Sequence, residues 1–213
     1  PLSGQVVFDV TPTRERDGPE QFLQDFRGYL QADAYGGYDQ LYHGGLRVEV
    51  ACWAHARRYF HESLESDQRA AIILDLIQKL YQVEKQARDL APEARLALRR
   101  EQAKPVLDQI DHERQRLQAE VLPRSPLGEA LRYMANQWTA LQRYTEDGRL
   151  QIDNNGAERQ LRAVAVGRKN WLFAGSMAGA YRAALLYSLI QACRLAGVEP
   201  FRYLKDVLLR ALP

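Results

Sequence analysis

The sequence holds little that would tie it to a membrane, a disulfide framework or a nucleotide fold. Only Cys52 and Cys193 occur in 213 residues, so no network of disulfides staples the chain. No uncharged stretch reaches the ~18 residues of a membrane span, and no signal peptide is visible at the start. The formal net charge of +2 is too small to argue for a polyanionic partner, and any such argument must rest on local clustering. Sequences for a phosphate-binding loop, a nucleophile elbow or a dinucleotide-binding glycine turn are missing. The sequence argues against a structural zinc site as well. Cys52-Trp53-Ala54-His55 offers one pair of ligands, and Cys193, His43, His61 and His112 form no matching second pair. These absences point to a soluble intracellular protein, long enough for one large core or two small ones.

The most informative absence is local. From Arg159 to Val198 there is no Asp or Glu, while Arg159, Arg162, Arg168, Lys169, Arg182 and Arg194 all fall in that tract. Two acidic positions stand apart from it in the sequence. Asp33 closes Tyr29-Leu30-Gln31-Ala32-Asp33, and Glu158 lies in Ile152-Asp153-Asn154-Asn155-Gly156-Ala157-Glu158-Arg159. Isolated carboxylates beside a cationic tract suit metal-assisted chemistry on a phosphate backbone: carboxylates hold divalent ions and cations hold the polyanion. Each residue also has a plainer use. Asp33 can cap the Tyr35-Gly36-Gly37 turn. Asn155 and Glu158 have the spacing of a helix-capping box, although Asp153 and Asn154 supply more polar groups than a cap needs and can orient a water or a metal ligand. Arg159 and Arg162 lie about one helical turn apart. Arg168-Lys169-Asn170-Trp171 follows in a loop, where arginine can grip phosphate and Trp171 can stack on a base. His55, Arg57 and Arg58 form a polar helical face near the acidic centre.

Strand signal is confined to the first third. Residues 5–10, Gln-Val-Val-Phe-Asp-Val, read as a strand closed by Thr11-Pro12. Pro19 to Gly28 reads as a short helix, residues 29–32 and 46–51 as strands, and residues 52–64 as a helix. Strand, helix, strand with Asp33 at a strand's carboxyl end suggests an α/β layer, in which sites lie beyond the carboxyl ends of the strands. From about Ser66 to Arg143 the periodicity becomes helical. Ile73, Leu76, Leu80, Val83, Ala87 and Leu90 form one stripe. Leu96, Val106, Leu107, Ile110 and Leu117 form a second, bent near Pro105. Leu131, Met134, Trp138 and Leu141 form a third. The charges among them (Arg95, Arg99, Arg100, Glu113, Arg114, Arg116) read as solvated faces. Helices are again expected over 155–165, 180–195 and 200–212, with a Gly-rich loop over 167–179.

The motifs resemble the transposases of the insertion sequence 66 family, bacterial enzymes of the DDE type. The resemblance rests on Leu30-Gln31-Ala32-Asp33-Ala34-Tyr35-Gly36-Gly37-Tyr38, Cys52-Trp53-Ala54-His55-Ala56-Arg57-Arg58 and Ile152-Asp153-Asn154-Asn155-Gly156-Ala157-Glu158-Arg159. It continues through Gly167-Arg168-Lys169-Asn170-Trp171-Leu172-Phe173-Ala174-Gly175-Ser176 and a tail from Tyr187 to Pro200. It implies an α/β fold, mostly helical overall: a partial ribonuclease H-like core with a mixed sheet, interrupted by an all-helical insertion. Residues 1–64 would be the first part of the core, 65–145 the insertion, and 146–213 the completion of the core with carboxy-terminal helices. Asp33 and Glu158 would be the second and third catalytic acids. They would hold two Mg²⁺ or Mn²⁺ ions about 3.5–4 Å apart for phosphodiester cleavage and strand transfer. His55, Arg58, Arg159, Arg162, Arg168, Lys169 and Trp171 would contact DNA, with Asp153, Asn154 and Asn155 in support. The partners implied are transposon ends, target DNA and further copies of the chain on that DNA, in the bacterial cytoplasm and away from membranes.

The resemblance has one departure. The family's first catalytic Asp belongs on the first core strand, whereas residues 5–10 match the third, so Asp9 lies on the wrong strand to replace it. The amino-terminal DNA-recognition region also has no counterpart. The expectation is a carboxy-terminal part, or a decayed copy, that cannot cleave DNA by itself. A non-catalytic DNA-binding remnant and a helical dimerisation remnant are the alternatives.

Overall fold

The computed structural model describes residues 5–13, 15–170 and 173–211. The chain divides into two compact units, one made of residues 26–154 and the other of 1–25 with 155–213.

The larger unit carries a two-stranded parallel sheet, β1 (Gly28–Gln31) and β2 (Arg47–Val50), in the register Gly28 with Arg47 through Gln31 with Val50. A 3₁₀ segment, Gly36–Tyr42, lies between the strands. The mixed sheet expected from the sequence is therefore represented, among the described residues, by two parallel strands. The helices follow in order: α2 (Trp53–Ser63), α3 (Ala70–Gln86), α4 (Pro92–Leu98), α5 (Lys104–Glu120) and α6 (Pro126–Gln142). The last begins cleanly because Ser125 Oγ accepts the Gly128 amide at 3.1 Å and Pro126 suits the first turn.

The three apolar stripes read from the sequence converge in one core. Ile73, Ile77 and Leu80 from α3, Leu107, Ile110 and Leu117 from α5, and Leu127, Leu131, Met134 and Leu141 from α6 are buried together with Trp53 and Phe60 of α2. Each such side chain contributes about 1.5–3 kcal/mol of burial. Trp53 also donates its indole N–H to Leu141 O at 2.8 Å and meets Trp138 edge-on at 6.2 Å. The expected bend at Pro105 takes a specific form. Residues Arg99–Ala103 make a π turn between α4 and α5, and Pro105 follows at the start of α5. Proline has no N–H to continue the ladder and crowds the carbonyl four residues back, and a wider turn upstream relieves both problems.

Two charges read as solvated are buried. Arg99 donates to Glu84 Oε1 and Oε2, each at 2.7 Å, and to the carbonyls of Tyr144, Asp147 and Leu150. Its guanidinium also lies 5.0 Å from the Tyr144 ring centroid. Arg95 donates to the carbonyls of Ala87, Arg88, Leu90 and Gly148. The helical period could not reveal this. These cations enter the interior because loop carbonyls from 87–90 and 144–150 need donors there.

The smaller unit contains α1 (Asp17–Phe22), α7 (Asn155–Gly167), α8 (Met177–Leu195) and α9 (Pro200–Ala211). Ser176 Oγ caps α8 by accepting the Gly179 amide. Gly197, at φ 69°, ends it: the Val198 amide returns to Cys193 O and the Gly197 amide to Arg194 O, the pairing of a Schellman motif. The strand expected at residues 5–10 does not form. The Phe8 amide donates to Ser188 Oγ at 2.8 Å, and its ring lies 5.8 Å from that of Tyr187. The segment thus meets α8 at Phe8, whose amide is satisfied by a hydroxyl. A run of β-branched residues favours an extended chain but becomes a strand only beside another strand.

Candidate functional site

Because β1 and β2 are parallel, their carboxyl ends meet at one edge of the larger unit. Ala32 extends the pairing by donating to Val50 O at 3.2 Å, and Asp33 follows, half-buried. β2 leads through Ala51 and Cys52 into α2, so the amino-terminal end of α2 lies at the same edge. The segment before α7 is fastened there too. Trp53 N–H donates to Ile152 O at 3.1 Å, and Gln31 Nε2 to Gln151 O at 2.7 Å. Asp33, Cys52, His55, Asp153 and Asn154 are thus carried to the strand ends by separate parts of the chain.

Asp153 accepts a hydrogen bond from the Tyr81 hydroxyl at 2.9 Å. Burial, followed by the Asp153 charge, pushes the Tyr81 phenol well above its ordinary range, so it remains a donor. Cys52 is fully buried, and desolvation raises its thiol although the backbone amides of Asn154, His55 and Ala54 act in the opposite direction. A buried neutral thiol is a packing group here rather than a nucleophile. Asn154 Oδ1 is buried and accepts no hydrogen bond from a described residue.

On α2, His55 is half-buried and Arg57 and Arg58 are exposed. Tyr59, one turn beyond His55, stacks on Tyr133 of α6 with ring centroids 4.4 Å apart and planes inclined at 29°. The Asp33 charge is felt at the phenols of Tyr38, Tyr42 and Tyr133, all of which burial pushes upward. This aromatic surround was not singled out from the sequence. The spacing of His55 and Tyr59 on one helical face was a usable signal. Tyr133, remote in sequence, gave none.

Glu158 lies in the first turn of α7, exposed, with Arg159 and Arg162 exposed on the same helix and Asn155 as its first residue. Arg168 and Lys169 are exposed in the turn that follows, and Trp171 falls outside the described residues. Asp33, His55, Arg58, Asp153 and Asn154 therefore belong to the larger unit, and Asn155, Glu158, Arg159, Arg162, Arg168 and Lys169 to the smaller.

Among the described residues no group of three or more His, Cys, Asp and Glu side chains is gathered to hold a metal. The oxygens at the strand-end edge are nevertheless of the kind that hard divalent cations take: the Asp33 carboxylate and the Asn154 amide oxygen, the latter unused by described protein donors. No helix among the described residues is long and apolar enough to cross a membrane.

Comparison with known proteins gives a consistent result. Three proteins of Sinorhizobium fredii (strain NBRC 101917 / NGR234) are similar. Uncharacterized protein y4hP is 33% identical over 96% of this chain, y4jD 33% over 99%, and y4qI 32% over 96%. The chain spans 40%, 42% and 40% of their respective lengths. No solved structure gives a significant match. The profile described as "Transposase IS66 family" matches residues 3–182. The chain belongs to that transposase family.

Proposed function

We propose that this chain is catalytic-domain sequence of a DNA transposase, acting in metal-dependent phosphodiester cleavage and strand transfer. In this reading residues 1–64 and 146–213 are parts of a ribonuclease H-like core and 65–145 its helical insertion. Asp33 and Glu158 are two of three acidic ligands, and Asn154 is an auxiliary oxygen donor. When bound, Mg²⁺ or Mn²⁺ supplies Lewis acidity, lowering the cost of forming an oxygen nucleophile and of charge on the leaving oxygen. The chain's own residues hold and orient the substrate. Arg159, Arg162, Arg168 and Lys169 bind backbone phosphates, with Arg58 and His55 on the other unit acting at the strand-end edge. Charge on the phosphate is met electrostatically, so no protein nucleophile is needed, in keeping with the buried, neutral thiol of Cys52.

The observation that carries the reading is that Asp33 follows the carboxyl end of β1 while the segment leading to Asp153 and Asn154 is hydrogen-bonded to Gln31 of that strand and to Trp53 at the start of α2, with Glu158 four residues beyond Asn154 in the sequence. DNA affinity measured against salt and against Mg²⁺ tests it. Affinity should fall steeply with salt, with a slope of about −0.9 per phosphate neutralised on duplex DNA. Replacing Arg159 or Arg168 by Ala should reduce that slope by about 1 each. Mg²⁺ should raise affinity in the parent chain, and Asp33→Asn or Glu158→Gln should remove that increment. Binding that ignores salt, or a Mg²⁺ response identical in both variants, would overturn the proposal.

A further inference from the structure

The stacked pair Tyr59 and Tyr133 is not used by the acids or by the phosphate-binding cations. The two rings come from different helices, α2 and α6, that pack against each other in the larger unit. Tyr133 is half-buried beneath, while Tyr59 keeps 37% of its surface exposed. Neither hydroxyl bonds to a described residue, so the pair is held by ring contact rather than by phenol hydrogen bonds. Each tyrosine follows an arginine in the sequence. Arg58 and Arg132 have side chains 61% and 57% exposed, tied only by long ion pairs, 3.9 Å to Glu62 and 3.7 Å to Glu129. Such exposed pairs are readily released to a stronger anion.

We propose that Tyr59, backed by Tyr133 and with the exposed cations Arg58 and Arg132 on the same two helices, is a stacking platform for an unpaired nucleobase of the DNA strand processed at the Asp33 edge. A flat aromatic surface with cations beside it is what single-stranded nucleic acid needs: the ring receives the base face and the cations receive the adjoining phosphates. A base inside a duplex has both faces covered, so the platform selects bases already freed from the stack or extruded. The location agrees with this use. Tyr59 lies on α2, the helix that begins directly after β2 at the strand-end edge, in the unit that also carries Asp33. The inference rests on the DNA-processing reading and adds to it a preference for distorted or single-stranded DNA.

The test compares two DNA probes on the 213-residue chain, a perfect duplex and the same duplex carrying one extrahelical 2-aminopurine. The parent should prefer the second, and 2-aminopurine fluorescence should be quenched on binding. Tyr59→Leu should reduce the ratio of the two affinities by about 5- to 150-fold and abolish the quenching, whereas Tyr59→Phe should retain both. A ratio unchanged in Tyr59→Leu would overturn the platform while leaving the DNA reading intact. So would equal loss of both affinities, which would mark a merely structural tyrosine. Failure of the parent chain to bind either DNA would instead overturn the DNA reading itself.

Discussion

Replacing Arg99 should destabilise the larger unit far more than any surface change. The Arg99 side chain is fully buried, and that of Glu84 is only 15% exposed. Arg99→Met keeps the aliphatic volume but removes both bonds to Glu84 and the donors to Tyr144, Asp147 and Leu150. The loss comes mainly from what is left behind: an uncompensated carboxylate and three carbonyls without their partner. Breaking a buried pair from one side costs about 3–5 kcal/mol. For a chain of this length each kcal/mol lowers the melting temperature by about 2–4 °C, so the midpoint should fall by about 6–20 °C.

The double replacement Arg99→Met with Glu84→Met separates the ion pair from the rest of the network. An apolar pair of similar volume often replaces a buried ion pair with little net loss, so the double variant should melt above Arg99→Met alone. A coupling of at least ~1 kcal/mol is expected for groups in direct contact. The assay is thermal and guanidinium unfolding followed by circular dichroism, with each variant's DNA affinity as a second readout. A midpoint shift under about 2 °C for Arg99→Met, or strict additivity in the double variant, would refute the reasoning. It would mean that solvent reaches Glu84 freely.

Three other outcomes follow. Asp147 is held down to about 2, first by the side-chain hydrogen bonds from Arg149 and then by that residue's backbone amide. A carboxylate with a lowered folded value stabilises the fold above its unfolded value and loses that contribution as pH falls. The stability of the parent should therefore decline between about pH 4 and pH 2 more steeply than that of Asp147→Asn, and acid titration of unfolding free energy checks this. Gly148→Ala should destabilise, because its Cβ would sit 1.8 Å from Pro92 O and 2.6 Å from Pro92 C, and backbone must move. Overpacking of this kind costs about 1–3 kcal/mol or more, measurable in guanidinium melts. Trp53→Phe should cost about 1–3 kcal/mol through the unsatisfied Leu141 carbonyl alone, with the lost ring volume adding to it, and calorimetry reads both together.

Most helices were legible in the sequence because apolar residues recur at spacings of three and four where one face meets a core. The stripe through Ile73, Leu80 and Val83 lies on α3, and the one through Leu131 and Met134 on α6. Strands β1 and β2 were legible from alternation and flanking glycines. Residues 5–10 carried the same local signal and form no strand, since strand formation needs a neighbouring edge and Phe8 finds a serine hydroxyl instead. Local pattern also could not show that Arg95 and Arg99 enter the interior. Their helical positions look solvated until the loops at 87–90 and 144–150 fold over them. The acidic and cationic candidates were visible as motifs, as was Tyr38 beside Asp33, whereas the stacking of Tyr59 on Tyr133 came from helices brought together only by the fold.

Those hidden arginines bear on the candidate site through the segment they hold. Residues 144–150 are gripped by Arg95 and Arg99, and the next three are tied to the strand edge through Gln151 O, Ile152 O and the Asp153 carboxylate. The first half of this run is thus anchored to the helical block, the second half to β1 and α2 and, through Tyr81 of α3, to the block again, and α7 with Glu158 begins one residue after it. A helical block that merely decorated the fold would have no need of two buried guanidiniums on the irregular segment that leads to the acidic motif. A substitution at Arg99 should therefore loosen Asp153 and Asn154 as well as the core, lowering the Mg²⁺ response of DNA binding even under conditions where the chain is still folded. A response that survives in folded Arg99→Met would assign the clamp to stability alone.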